Sequence, residues 1–216
     1  MPRVGPDLQI DVDRVLDLEP DLVLASLTVP GHERVVETLE EAGLDYLAPE
    51  PVSLSDVYRN IREIALSLGV ADRGEALISE MRAALKLTQT FAKSPKLLVQ
   101  WWNRPTVAPA ALSWVTDLIR LAGGENPLSQ MQVKSAPLSD EQVALIDPDV
   151  IILAWCGVDP AKYRPDVVLD NRLWQDVKAV RKGQVFCVLE AYLGRPGPGL
   201  VKGFEALKST VRKCAV

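Results

Sequence analysis

Histidine is almost absent from this chain: His32 is the only one among 216 residues. A histidine general base or a histidine-rich metal site therefore has almost nothing to draw on. No serine sits in a GxSxG elbow, and no acidic pair has a flanking base or metal-ligand spacing, so the usual enzyme constellations are missing. The three cysteines, Cys156, Cys187 and Cys214, form neither a CxxC pair nor an even set, which removes a zinc ribbon, a redox motif and a disulfide framework. Positive charge is in deficit, with 24 Lys and Arg against 29 Asp and Glu, a net charge of -5 and a pI near 5.0. That balance gives no broad positive field for phosphate backbones or anionic lipid, so nucleic acid and membrane surface are poor candidates as partners. No apolar run approaches the roughly 18 residues of a membrane span. Met1 to Asp11 lacks the basic and apolar regions of a signal peptide, so the chain as written is expected in the cytosol.

What remains is a globular composition, 48% hydrophobic and 25% charged, with length for one large or two small cores. Helical periods alternate with apolar runs, which predicts an α/β fold on mostly parallel sheets. The same unit occurs twice. Asp13 to Ser26 reads DRVLDLEPDLVLAS and Glu141 to Ala154 reads EQVALIDPDVIILA: a short helix, an acid-Pro-Asp turn and a buried strand. Pro20 and Pro148 cannot continue a helix. A second match, Gly43 to Glu50 with Gly183 to Glu190, follows each copy, and in both a glycine closes a helix and a strand ends at Glu. Duplicated lobes imply a cleft between them.

Between the copies, Val57, Ile61, Ile64 and Leu68, then Ala76, Leu77, Met81 and Leu85, recur at helical spacing. The pattern predicts a helix to about Leu68, a break at Gly69 and a long helix from Asp72 to Phe91. The expected division is a first lobe over 1–70, a connecting helix over 71–93 and a second lobe over 94–216. The second lobe opens with a strand over 96–102 and a helix over 113–122, ended by Gly123-Gly124. Only a dozen residues precede the first copy, so the first lobe is expected to be incomplete.

Ligands of open parallel sheets sit beyond the carboxyl ends of the strands. Those ends gather Trp101, Trp102, Trp155, Cys156, Tyr192 and Arg195, while Trp114 opens the next helix. Broad rings at loop positions suit a flat, mostly apolar ligand with a polar edge. Adjacent Trp101 and Trp102 must face opposite sides of a strand, so Trp101, like Trp114, reads equally well as core. Cys156 is read as an inert thiol or as a ligand contact. His32 decorates the helix over 31–41. Pro196 and Pro198 remove amides that an anion would need, which leaves Arg195 as a polar contact on a rigid rim loop.

The runs PRVG at Pro2, LEPDLVLAS at Leu18, Trp101 to Pro105, SWV at Ser113, AGGEN at Ala122, DPDVIILAWCG at Asp147 and YLGRPGP at Tyr192 occur in order along nearly the whole chain. Together they resemble the cobalamin-binding substrate receptors of ABC importers, the class III periplasmic binding proteins. The resemblance implies an α/β fold of two Rossmann-like lobes joined by a long backbone helix. It implies cobalamin as a transported ligand in the interlobe cleft, no covalently bound cofactor, no catalysis, no metal site, and delivery to an ABC transporter permease. Tyr192 takes the place of a cleft aromatic, and Trp155-Cys156-Gly157 matches a strand end on the opposite wall. Glu33 falls where a carboxylate docks on permease arginines, with Glu190 as the substitute for a second.

This sequence departs from the family pattern in three places. Ser26 stands where some relatives have a cleft tryptophan, and Gly194 stands near the second docking carboxylate. Family members also begin with an export signal, a strand and a helix before PRVG. The expectation is a receptor shortened at its amino end, extracytoplasmic if the full-length protein carries that signal. A homodimer pairing open sheet edges is the expected response. Competing readings are a haem or ferric-siderophore receptor on the same fold, and an interaction subunit that has lost its ligand.

Overall fold

The computed structural model describes residues 2–87 and 92–214 and divides into two compact units, Met1–Pro51 and Val52–Val216. In the smaller unit the order is α1 (Val12–Leu16), β1 (Val23–Leu24), α2 (His32–Glu41) and β2 (Tyr46–Leu47). The Asp11 carboxylate accepts from the Arg14 N–H and starts α1. β1 and β2 run parallel, with Val23 opposite Tyr46, and among the described residues β1 pairs with β2 alone.

The larger unit continues with α3 (Leu54–Ser67), α4 (Ala71–Ala84), β3 (Leu97–Gln100), β4 (Thr106–Pro109), α5 (Trp114–Leu121), β5 (Ser135–Leu138) and α6 (Asp140–Ile146). It ends with β6 (Val150–Leu153), α7 (Pro165–Leu169), α8 (Lys178–Arg181), β7 (Val185–Cys187), α9 (Glu190–Leu193) and α10 (Leu200–Cys214). β3, β6 and β7 form a parallel sheet with β6 in the centre. Side chains alternate across a strand, so the sheet sends Leu97, Val99, Val150 and Ile152 into one core and Leu98, Ile151 and Leu153 into another. The first core also takes residues of α3, α4, α5 and α10, including Val57, Met81, Leu118 and Phe204.

The packing divides the chain differently from the expectation. The apolar stripes of α3 and α4 need a cover and find it in the larger unit, so the boundary falls after Pro51 instead of at 70 and 94. The connecting helix is also shorter than expected: α4 stops at Ala84, and positions 88–91 lie outside the described residues. α3 and α4 approach closely where Gly74 meets Ala65, since a Cβ at Gly74 would lie 2.5 Å from that of Ala65.

The repeat holds in topology and slips by one residue in register. Glu19 and Asp147, its matching acids, both adopt left-handed backbone, φ 45° and 49°, just before their prolines. The Val23 N–H donates to the Asp45 carbonyl, whereas the N–H of its counterpart Ile151 donates to that of Gln184. Asp45 thus takes the place of Gln184, not of Val185. Neither second strand reaches its Glu, and Glu190 instead opens α9. The antiparallel β4–β5 pair escaped the sequence reading because Pro109 and Pro137 lie within it, and proline argues against a paired strand.

At the start of α3, Ser53 caps the Asp56 N–H while the Asp56 carboxylate accepts from Val52 N at 3.1 Å and from the Ser53 hydroxyl at 2.8 Å. Arg59 pairs with the same carboxylate at 2.6 Å. Burial acts to raise its pKa, but the Ser53 and Val52 hydrogen bonds and Arg59 outweigh it and hold the group below the ordinary aspartate value. The resulting stabilisation is present above the unfolded-state value and is lost as pH falls through the folded one. Asp56→Asn should therefore cost about 1–2 kcal/mol at neutral pH, with the gap to the parent closing below about pH 4. Urea unfolding of both proteins across that range measures it.

Candidate functional site

The carboxyl ends of β3, β6 and β7 lie side by side because the strands are parallel neighbours. Backbone hydrogen bonds carry that alignment into the loops. The Ala154 N–H donates to the Gln100 carbonyl at 3.0 Å and the Cys156 N–H to the Trp101 carbonyl at 2.9 Å. The Val188 N–H donates to the Leu153 carbonyl at 2.9 Å. Beyond β3 the chain turns tightly, with Trp101 N bonded to the Val107 carbonyl and Val107 N to the Trp102 carbonyl.

On this edge Trp102 is 48% exposed, an unusual position for so large a ring. Trp101 is partly buried against the first core, so the two neighbours do face opposite ways. Trp114 and Trp155, both in the expected ligand set, are each only 7% exposed. The Trp114 indole N–H donates to the Leu193 carbonyl at 2.7 Å, and the Trp155 ring packs tilted on Tyr163 at 5.6 Å. Both are core residues behind the edge.

Cys156 is exposed at the end of β6, in the bend before Gly157. Tyr192 lies half-buried in α9, with the Lys202 ammonium 5.2 Å from its ring centroid. Arg195 is exposed, and its Nε lies 3.5 Å from a carboxylate oxygen of Glu190, whose side chain is 18% exposed. Glu190, expected as the substitute docking carboxylate, is thus paired with a neighbour in its own segment. Glu33 lies in the smaller unit, exposed in the first turn of α2, and accepts from the Gly31 N–H at 2.8 Å. His32 is buried: its Nδ1 accepts from the Val29 N–H, which leaves Nε2 to donate to Asp7. Sequence reasoning missed Gln100 and Tyr163, which reach the same edge from beneath; a glutamine closing the run LLVQ was the only signal.

Among the described residues no group of three or more His, Cys, Asp or Glu is arranged to hold a metal ion, and no helix is long and apolar enough to cross a membrane. A groove of about 490 Å³ in the smaller unit is lined by Pro6, Leu8, Gln9, Ile10, Arg34, Val35 and Thr38. It offers no aromatic face.

The periplasmic binding protein family matches residues 1–191. An uncharacterized ABC transporter substrate-binding lipoprotein of Bacillus subtilis is 24% identical over 218 residues, covering 97% of this chain and 67% of its own length. A vitamin B12-binding protein of Vibrio cholerae is 24% identical over 207 residues, covering 94% and 72%. Among solved structures, a periplasmic heme-binding protein from Roseiflexus sp. RS-1 superposes with a TM-score of 0.81 at 24% identity, over 100% of this chain and 84% of that one.

The thiol of Cys156, although accessible, is pushed up to about 11 by burial first, with Glu190 adding to the effect and Arg195 opposing it. At pH 7.5 iodoacetamide should alkylate it roughly a hundredfold more slowly than an unhindered cysteine, the rate climbing until about pH 11. Peptide mass spectrometry after timed quenching measures the rate site by site.

Proposed function

The chain belongs to the periplasmic binding protein family, and we propose that the solute it binds for its ABC importer is a corrinoid of the cobalamin type. It is a solute-binding protein and not an enzyme, and the family places its work outside the cytoplasm. The observation that carries the ligand proposal is Trp102, whose exposed ring stands on a hydrogen-bonded turn at the carboxyl edge of the larger unit's sheet. A fixed apolar ring suits a broad macrocycle, and Asn103, Arg104 and Arg195 supply polar groups for its periphery. The vitamin B12-binding relative supports the same ligand class.

Haem is the competing solute, supported by the heme-binding neighbour. An axial oxygen ligand would have to come from Tyr192, which is half-buried beneath Lys202. A ferric siderophore would call for more cations than Arg104 and Arg195. Loss of all ligand, with the chain as an interaction subunit, is the reading that total failure to bind would favour.

For delivery, the proposal gives the permease-docking role to Glu33. The smaller unit carries twelve Asp and Glu against three Arg, so its field favours a cationic partner. A homodimer formed through the outer edge of β1 remains part of the proposal.

Isothermal titration with cyanocobalamin should give saturable binding, and Trp102→Ala should weaken it about tenfold. No heat with cyanocobalamin, together with a Soret shift on adding haemin, would transfer the chain to the haem class.

A further inference from the structure

Two buried polar side chains, neither with an open face toward solvent, join the loops that carry the proposed contacts. Gln100, the last residue of β3, is 0% exposed. Its Nε2 donates to the Thr106 hydroxyl at 3.3 Å and its Oε1 accepts from the Trp155 indole N–H at 3.5 Å. An indole N–H can only donate, which fixes the orientation of the amide. Tyr163 is 8% exposed and lies in the segment leading into α7. Its hydroxyl donates to the Trp155 carbonyl at 3.2 Å and accepts from the Glu190 N–H at 3.3 Å. Trp155 is therefore held by its side chain to the end of β3 and through its carbonyl, by way of Tyr163, to the start of α9.

We propose that Gln100 and Tyr163 are positioning residues: with Trp155 between them they brace the loops after β3, β6 and β7 into one rigid edge for the solute. Packing alone does not account for them. A buried amide and a buried hydroxyl are favourable only when matched, and an apolar core of the same volume would be at least as stable. What polar groups add is direction, since each hydrogen bond fixes a loop atom in angle as well as distance. Loops already ordered give up less conformational freedom when a solute arrives, so bracing translates into affinity. The two ends of the brace lie next to proposed contacts: Gln100 precedes Trp101 and Trp102, and Glu190 pairs with Arg195. Only the affinity half of this inference rests on the proposed function.

The test uses the full chain with Tyr163→Phe, which removes one hydroxyl and keeps the ring on Trp155, beside Val211→Ala in α10, which lowers global stability away from the edge. Hydrogen exchange without ligand should quicken tenfold or more at the Glu190 amide and across 155–158 in Tyr163→Phe, with α10 amides little changed. Val211→Ala should not reproduce that pattern. With cyanocobalamin, Tyr163→Phe should bind five- to tenfold more weakly although its melting temperature falls no further than that of Val211→Ala. Gln100→Met should show the same loss at 101–107, and if it does not fold, Tyr163→Phe alone decides. Exchange in Tyr163→Phe that rises evenly over the molecule, or affinity that tracks melting temperature in both variants, would overturn the brace. A wild-type chain that takes neither cyanocobalamin nor haemin would sink the ligand reading, and the exchange comparison would still decide the brace.

Discussion

β6 is the strand on which the larger unit depends. Val150, Ile151, Ile152 and Leu153 are fully buried, with β3 on one side, β7 on the other and a separate hydrophobic core on each face. A strand in that position leaves no polar backbone group unpaired and no side chain in water, so it can be read only as a continuous apolar run. Because its neighbours are parallel to it, their carboxyl ends fall on one edge. The position of Trp102, the bend at Cys156 and the start of α9 all follow from that single alignment.

The two units differ in composition. The larger one carries the exposed Trp102 ring, while the smaller one carries the excess of acidic side chains. In the family to which the chain belongs, capture of a solute and recognition of an importer are both required. The edge carries one exposed indole, Trp102. The accessible thiol at Cys156 is held in the protonated form by its surroundings.

Much of the fold was legible because it rests on periodicity and punctuation. The alternation of helices with apolar strands, the break at Gly69 and the acid-Pro-Asp turns all lie where residue type dictates local geometry. The unit boundary was not legible, since an amphipathic helix announces that it has a buried face and does not announce which core covers it. The one-residue slip between the repeats was hidden for a related reason: glycine marks the end of a helix, but the number of residues before the next strand is set by pairing. At the candidate site, loop position gathered residues of one edge, yet it could not separate Trp102, which faces water, from Trp114 and Trp155, which are buried. Gln100 and Tyr163 gave almost no signal, because a brace is defined by what a side chain reaches across the fold.

The proposed solute site is the carboxyl edge of β3, β6 and β7. The most direct measurement is the set of indole N–H resonances of the five tryptophans, recorded on nitrogen-15-labelled protein before and after saturation with cyanocobalamin. On that placement Trp102 should shift strongly, and Trp174, which is buried in the second core with its indole N–H on the Asp140 carbonyl, should hardly move. An unmoved Trp102 in a protein that has bound its ligand would contradict it.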